Sequence, residues 1–256
     1  MNDNQSNKTL RIAVIGDFQI GKSSLVNCLL AKPEAAVGKG YFPTTKEAGE
    51  YPFAPGVVLV DTPGFDDAHT ERTKQSEEKI ESSQVVLFVK HETELADHDE
   101  RILRLAKNKP TIVAFNCWNR TLSRRWIPNL PENVDTCETI QRQLAQFDMM
   151  DSVLRIKGKS VHALNVLWAQ FGLGLPISEE QRDDIVDFAK TKLGLDLEDG
   201  VFCAEMLRRS GFLPVQDFLK NLPLELLKDA AAHPEREIDR IVNRFAEELK
   251  KRWNAA

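Results

Sequence analysis

Eight residues near the N-terminus have the spacing of a phosphate-binding loop. The segment GDFQIGKS, residues 16–23, matches G-x-x-x-x-G-K-[ST] and lies between a predicted strand and a predicted helix. The glycines let successive N–H groups point inward, and the following helix adds its positive end. We predict that Lys22 contacts the β- and γ-phosphates of a nucleotide and that Ser23 ligates Mg²⁺. The residues predicted to line the phosphates are Gly16, Asp17, Phe18, Gln19, Ile20, Gly21, Lys22, Ser23 and Ser24.

A second motif, DTPG at residues 61–64, directly follows the next predicted buried strand. Asp61 can accept a hydrogen bond from a water of the Mg²⁺ shell, and the Gly64 N–H can approach a γ-phosphate. Between the two motifs, Thr45 can ligate Mg²⁺ only while the γ-phosphate is present, a contact that orders and releases a switch loop. The alternative for Thr45 is a turn hydroxyl that caps the next element.

The elements around these motifs alternate between strand and helix. Buried-strand patterns at 10–15, 57–60, 85–89, 111–115 and around 153–163 alternate with helical patterns from 21, at 70–83, 94–108 and 133–147. This alternation predicts an α/β fold, a three-layer P-loop architecture with a mostly parallel sheet and its ligand at the carboxyl ends of the strands. Windows 178–192, 200–209, 212–221 and 235–253 all predict helix, whereas 32–56 is punctuated by Gly and Pro.

The same pattern predicts the domain organisation. We expect a flexible N-terminus at 1–9, a nucleotide-binding domain at 10–222 with a helical insertion at 165–209, and a helical extension at 223–256.

Composition excludes several classes of protein. With 256 residues, 42% hydrophobic residues and a net charge of -5, the chain is neither disordered nor a general nucleic-acid binder. Its longest apolar runs, such as 85–89, are too short to cross a bilayer, so membrane contact is at most peripheral. The first residues do not have the pattern of a secretory signal, and the four cysteines lack C-x-x-C spacing. We therefore expect a cytoplasmic protein with reduced thiols.

The segments GDFQIGKSSLVNCLL, FPTTKE and DTPGFDD, followed by a charged helix and the strand VVLFV, resemble the translation-factor-like class of P-loop GTPases. Within that class they are similar to bacterial dynamin-like and Era-like proteins, and the spacing from Tyr51 to the DTPG motif is similar to that of immunity-related GTPases. The resemblance implies a switch that binds GTP and GDP and slowly hydrolyses GTP with Mg²⁺. It gives catalytic roles to Lys22, Thr45 and Gln19, and Gln19 stands at a position where relatives hold K⁺. It gives metal-binding roles to Ser23, Thr45 and, through water, Asp61.

The chain departs from this family at the base-binding motifs. Where the family has N-K-x-D for guanine, residues 116–119 are NCWN, so Asn116 is kept and Asn119 replaces the Asp. An amide satisfies only part of the guanine edge, which predicts relaxed specificity that includes xanthine nucleotides. The last base loop of the family has the pattern S-A-x. Its predicted counterpart here is VHAL, 161–164, with His162 in place of the Ser and Ala163 as the backbone contact to the purine. Phe65 follows the DTPG motif, where Ras-like proteins have a water-orienting Gln.

Three functions follow from these observations. The first is a GTP-hydrolysing switch stimulated by a protein effector or by nucleotide-dependent homodimerisation. The second is a pseudo-GTPase scaffold with weak or relaxed nucleotide binding, which the altered guanine motif favours. The third is a P-loop ATPase or kinase, but Arg124 and Arg125 are too few to build a kinase lid.

Overall fold

The computed structural model describes residues 9–36, 49–64, 70–91, 95–117, 131–156, 158–195 and 199–226. These residues contain a six-stranded sheet in the order β2-β3-β1-β4-β5-β6. The strands are β1 (Leu10–Ile15), β2 (Gly49–Ala54), β3 (Val57–Asp61), β4 (Val85–Lys90), β5 (Thr111–Asn116) and β6 (Val161–Leu164). All neighbouring strands pair in parallel except β2, which is antiparallel to β3.

Helices cover both faces of this sheet. They are α1 (Lys22–Leu30), α2 (Thr70–Ser82), α3 (Asp97–Ala106), α4 (Pro131–Gln146), α5 (Val166–Gly172), α6 (Glu179–Leu193), α7 (Asp199–Arg209) and α8 (Phe212–Lys220). Because side chains alternate along a strand, Ile12 and Val14 of β1 pack with α1, α5 and α8, whereas Ala13 and Ile15 pack with α2, α3 and α4. The predicted three-layer α/β fold with a mostly parallel sheet is confirmed.

A third hydrophobic cluster lies beside the sheet and is formed by α5, α6 and α7. Trp168 of α5 packs against Phe188 of α6 with 5.8 Å between ring centroids, and Phe171 contacts Phe202 of α7 edge-on at 5.3 Å. On its other side α5 contributes Ala169 to the cluster under α1. The helical segment after β6 is therefore packed directly onto the domain through α5.

Two elements differ from the sequence-based expectation. The stretch 32–56 was expected to be a loop, but Gly49–Ala54 is the edge strand β2, in which Tyr51 is half-buried while Glu50 and Pro52 are exposed. Proline is tolerated there because an edge strand leaves one row of N–H groups unpaired. The final strand is also shorter than 153–163, since only 161–164 form a continuous ladder with β5, while Val153 makes an isolated bridge to Thr111. The helix α5 lies inside the expected helical insertion at 165–209, although none of the predicted helical windows covers it. The helix expected at 235–253 lies outside the described residues.

Within the described ranges, every helix is too short or too polar to traverse a bilayer.

Stability should depend on pH through His162, which lies in β6 opposite Ala114 and is 8% exposed. Burial lowers the pKa of His162 to about 4, so the folded chain resists the proton that the unfolded chain accepts near the ordinary histidine pKa of about 6.5. We expect the free energy of unfolding to fall between about pH 6.5 and about pH 4, by at most about 3 kcal/mol. Urea unfolding across this range measures the slope, and His162→Val should flatten it. An unchanged slope in this variant would contradict the assignment.

Candidate functional site

The glycines of residues 16–23 fold the loop tightly against the carboxyl end of the sheet. Gly16 has a φ of 144°, and a Cβ at this position would lie 2.3 Å from the carbonyl oxygen of Val89 in β4. Gly21 has a φ of 91° and forms the N-cap of α1. Glycine supplies no side chain to cap the first turn of α1, and a helix N-terminus of this kind suits an anion. The predicted strand, loop and helix are thus present in the order that binds phosphate.

Lys22 is a buried cation within this loop. It is only 6% exposed, and its Nζ donates to the carbonyl oxygen of Asp17 at 2.5 Å. Burial lowers the pKa of Lys22 to about 8, and the nearby carboxylates of Asp61 and Asp17 act in the opposite direction. An anionic ligand beside Nζ would stabilise the charged form in the same way.

Ser23 and Asp61 bring the two sequence motifs together. Ser23 Oγ donates to Asp61 Oδ2 at 2.7 Å, and Asp61 is 1% exposed at the end of β3. Burial raises the pKa of Asp61, although Ser23 and Lys22 oppose that shift. The second oxygen, Asp61 Oδ1, has no hydrogen-bond partner among the described residues. A buried carboxylate oxygen without a partner beside a hydroxyl is the donor set that Mg²⁺ prefers, so these residues fit the ion.

The DTPG motif is held by β1 and α2 and lies against the phosphate-binding loop. Thr62 Oγ1 donates to the carbonyl oxygen of Val14 at 2.9 Å, and Ser76 Oγ of α2 donates to that of Pro63 at 2.9 Å. Gly64 lies so close to the loop that an added Cβ would be 2.8 Å from Phe18 Cα. The backbone of Gly64 therefore borders the phosphate-binding loop, as its predicted role requires.

Asn116, at the end of β5, connects the phosphate-binding loop to the segment after β6. Its Nδ2 donates to the carbonyl oxygen of Ile20 at 2.9 Å, and its Oδ1 accepts from the Val166 N–H at 3.2 Å. Both bonds are buried, so they fix the two loops relative to each other. The contact with Val166 was not expected, because the sequence offered no signal linking position 116 to position 166.

Replacing Asn116 by alanine tests this connection. We expect the affinity for nucleotide to fall about tenfold and the free energy of unfolding to fall by about 2 kcal/mol, since two buried backbone groups lose a partner. Fluorescent-nucleotide titration and urea unfolding measure the two effects. Asn221→Ala is the matched control, because Asn221 Nδ2 makes a single exposed bond to the carbonyl oxygen of Asp217. Equal losses in the two variants would contradict the role of Asn116.

The structure places Ala163 inside β6, opposite Phe115 of β5, rather than at the end of the strand. The residues that follow the carboxyl end of β6 are Asn165 and Val166. Asn165 caps α5 by accepting from the Trp168 N–H at 3.0 Å, and its Nδ2 is buried with no partner among the described residues. This turn was missed because Asn165-Val166 does not match the family's S-A pattern.

The remaining predicted residues fall into two groups. Gln19 is exposed, with a φ of 58° that is uncommon for a residue with a side chain. Thr45, Asn119 and Phe65 lie outside the described residues. Across the described ranges there is no group of three or more His, Cys, Asp or Glu side chains that could hold a metal ion, so the Mg²⁺ set depends on the Ser23 hydroxyl.

Comparison with known proteins agrees with this geometry. Residues 11–117 match the family model described as 50S ribosome-binding GTPase. GTPase Der of Desulforamulus reducens is 36% identical over 124 residues, which cover 43% of this chain and 28% of Der. GTPase Era of Pseudomonas entomophila is 25% identical over 213 residues, which cover 77% of this chain and 66% of Era. The tRNA modification GTPase MnmE of Lacticaseibacillus paracasei is 32% identical over 114 residues, 42% of this chain and 25% of MnmE.

Residues 11–117, which include the phosphate-binding loop and the DTPG motif, are thus similar to the 50S ribosome-binding GTPase family and to the GTPases Era, Der and MnmE. The chain spans about a quarter of the Der and MnmE relatives and 66% of the Era relative. The matches leave untested the narrower resemblance to dynamin-like and immunity-related GTPases and the consequence of Asn119.

Proposed function

We propose that the chain is a nucleotide-dependent switch that binds GTP and GDP and slowly hydrolyses GTP with Mg²⁺. The observation that carries this proposal is the contact of Ser23 Oγ with Asp61 Oδ2 at 2.7 Å beside the buried Lys22. If this pair were only structural, the buried Asp61 Oδ1, which has no hydrogen-bond partner among the described residues, would carry a desolvation cost without a compensating contact. Its place beside a lysine and a helix N-terminus without a side-chain cap favours a ligand instead.

In this proposal each residue of the site has a separate task. Ser23 Oγ and, through a water, Asp61 Oδ1 would hold Mg²⁺, which would supply positive charge against the phosphates. Lys22 leaves the Asp17 carbonyl oxygen and donates to the phosphates, while the N–H groups of the loop and of Gly64 bind phosphate oxygens. Thr45 adds a metal contact only with the triphosphate, which makes the loop around it the switch.

Hydrolysis requires a group that orients the attacking water, and Gln19 is our candidate. Its carbonyl oxygen can coordinate K⁺ or face the water from the exposed rim of the loop. We propose that turnover is slow until a protein effector or a second copy of the chain covers the nucleotide.

Single-turnover GTP hydrolysis tests the catalytic part of this proposal. We expect the rate to require Mg²⁺ and to rise with protein concentration or when K⁺ replaces Na⁺. Asp61→Asn should lower the rate strongly, because the amide presents a donor to the metal-bound water. Asp151→Asn, at an exposed turn, is the control. A rate that is independent of Mg²⁺ and unchanged in Asp61→Asn would refute the proposed hydrolysis.

The turn after β6 is the proposed contact for the edge of the base, in place of Ala163. Leu167 is the second residue of α5, where the helix supplies no intrahelical acceptor for the N–H group. Asn116 fixes this turn through Val166. We propose that the Leu167 N–H contacts the purine O6 and that Asn165 borders it.

Base specificity depends in addition on Asn119. We expect Asn119→Asp to tighten binding of GTP relative to ATP by about a hundredfold, because a carboxylate accepts from both guanine donors, a gain of about 2–3 kcal/mol. Competition titration of both nucleotides measures the ratio, and Asn221→Asp controls for the added charge. If the ratio does not change, residues 116–119 are not the base-binding loop.

For partners, we propose a protein effector or a homodimer in the cytoplasm, and the net charge of -5 supports a protein rather than a nucleic acid. The matching family is described as 50S ribosome-binding, which names the alternative to test. Sedimentation with ribosomal subunits in the presence of GTP and of GDP distinguishes a protein partner from the ribosome. Cosedimentation with the subunits at moderate salt would contradict our proposal. The GTPase relatives do not favour the scaffold or the ATPase.

A further inference from the structure

A histidine from α3 lies against the phosphate-binding loop. His98 Nε2 is 3.3 Å from Asp17 Oδ2 and 3.7 Å from Asp99 Oδ1. The side chains of His98 and Asp17 are 24% and 29% exposed, whereas the Nε2 atom that faces Asp17 is buried and has no hydrogen-bond partner among the described residues. A protonated His98 ring would form an ion pair with Asp17 at this distance.

Asp17 stabilises the shape of the loop but opposes phosphate binding through its charge. Its Oδ1 accepts from the Phe18 N–H at 2.6 Å, and its backbone oxygen accepts from Lys22 Nζ at 2.5 Å, so it shapes the loop at two points. Its carboxylate, however, places a negative charge in a loop that must bind a polyphosphate. A negative charge in the loop weakens the binding of phosphates there unless a cation neutralises it.

The position of His98 is fixed by a buried ion pair beneath it. Lys90 Nζ, at the end of β4, donates to Asp99 Oδ2 at 2.6 Å, and the Ala96 N–H donates to the same oxygen at 2.9 Å. Lys90 and Asp99 are 1% and 0% exposed. This pair anchors the first turn of α3, which carries His98, to the strand that ends beside Gly16.

The charged groups around His98 come from three neighbouring elements. The loop supplies Asp17, with Lys22 behind it, β4 supplies Lys90, and α3 itself supplies Asp99. The neighbouring helix α2 is joined to α3 one turn further along, where Arg101 pairs with Glu77 at 2.5 Å. Among the described residues, the acidic groups that face the ring are therefore Asp17 and Asp99.

We propose that His98 is a positioning residue of the phosphate-binding loop, whose protonated ring neutralises Asp17 when nucleotide binds. The inference rests on the proposed nucleotide binding and extends it. Phosphates and His98 then act on the same carboxylate, so nucleotide binding favours protonation of His98, and protonation favours binding to the same extent. The chain binds nucleotide more tightly at mildly acidic pH and takes up a proton when it does so.

A double-mutant cycle tests this coupling on the full chain. GDP affinity is measured calorimetrically at about pH 5.5 and about pH 7 for the wild type, His98→Gln, Asp17→Asn and the double variant. Histidine changes charge in this interval, whereas Lys22, with a pKa of about 8, stays largely protonated. Asp17→Asn keeps an oxygen for the Phe18 N–H. Titration in two buffers of different ionisation enthalpy counts the protons taken up. Asp97→Asn, an exposed change on the same helical turn, is the control.

When the pH is lowered, we expect the affinity for GDP to rise about fivefold more in the wild type and in the Asp97→Asn control than in His98→Gln. Both the wild type and this control should take up protons on binding. His98→Gln should lose both effects, and Asp17→Asn should bind tightly at both pH values whether or not His98 is present. If His98→Gln lowers affinity equally in the wild-type chain and in the Asp17→Asn variant, or leaves proton uptake unchanged, the inference is overturned. Absence of GDP binding by the wild type at both pH values would instead overturn the proposed function.

Discussion

Replacing Lys22 with alanine should lower the affinity for GTP and GDP by at least about a hundredfold. The ammonium is held in the loop with 6% exposure and contacts a backbone oxygen that phosphates can replace. Each charge-assisted hydrogen bond contributes about 1.5–3 kcal/mol, and Lys22 is expected to make two with the phosphates. Calorimetric titration of both nucleotides in Mg²⁺ measures the loss.

The control for this substitution is Lys32→Ala, which removes an exposed lysine just beyond α1 that pairs with Glu34 at 2.5 Å. It should bind nucleotide like the wild type, and both variants should unfold at a similar denaturant concentration. If Lys22→Ala binds as tightly as Lys32→Ala, the loop at 16–23 does not bind phosphate.

Replacing Asp99 with alanine should lower the free energy of unfolding by about 3–5 kcal/mol. Lys90 Nζ would remain in a fully buried position after losing the carboxylate that lies 2.6 Å away, and the Ala96 N–H would lose its acceptor. Removing one member of a buried ion pair costs more than the pair contributes, because the other charge stays desolvated. Urea unfolding measures the change.

The control is an exposed ion pair on the same helix, and its first member is the residue after Asp99. Glu100 pairs with Arg104 at the surface, and Glu100→Ala should cost less than about 1 kcal/mol. Restoring an apolar environment with Lys90→Met in the Asp99→Ala background should recover much of the loss. A loss below about 1 kcal/mol for Asp99→Ala would mean that the buried pair does not anchor α3.

Most strands of this fold could be predicted because parallel strands buried on both faces are continuous apolar runs. β1, β3, β4 and β5 all have this pattern. β2 does not, since an edge strand can contain Gly49 and Pro52 and bury only alternate side chains. β6 is short, and α5 follows it after a single residue, so neither boundary leaves a turn signal.

The site divides in the same way. The phosphate loop and the DTPG motif are each a continuous stretch of sequence, so each can be recognised by itself. The strands before them, β1 and β3, are neighbours in the sheet, and this brings Ser23 and Asp61 into contact. The contacts of Asn116 with Val166 and of His98 with Asp17 join residues far apart in the chain. Their positions depend on how α3 and the turn after β6 pack, which no local pattern encodes.

The most direct measurement is calorimetric titration of the Mg²⁺-loaded chain with GTP, GDP, ATP and XTP, with Lys22→Ala as the control. We predict micromolar binding of GTP and GDP, weaker binding of ATP, measurable binding of XTP because of Asn119, and binding at least about a hundredfold weaker in Lys22→Ala. Binding of none of these nucleotides by the wild type, or undiminished binding in Lys22→Ala, would contradict a GTP-dependent switch.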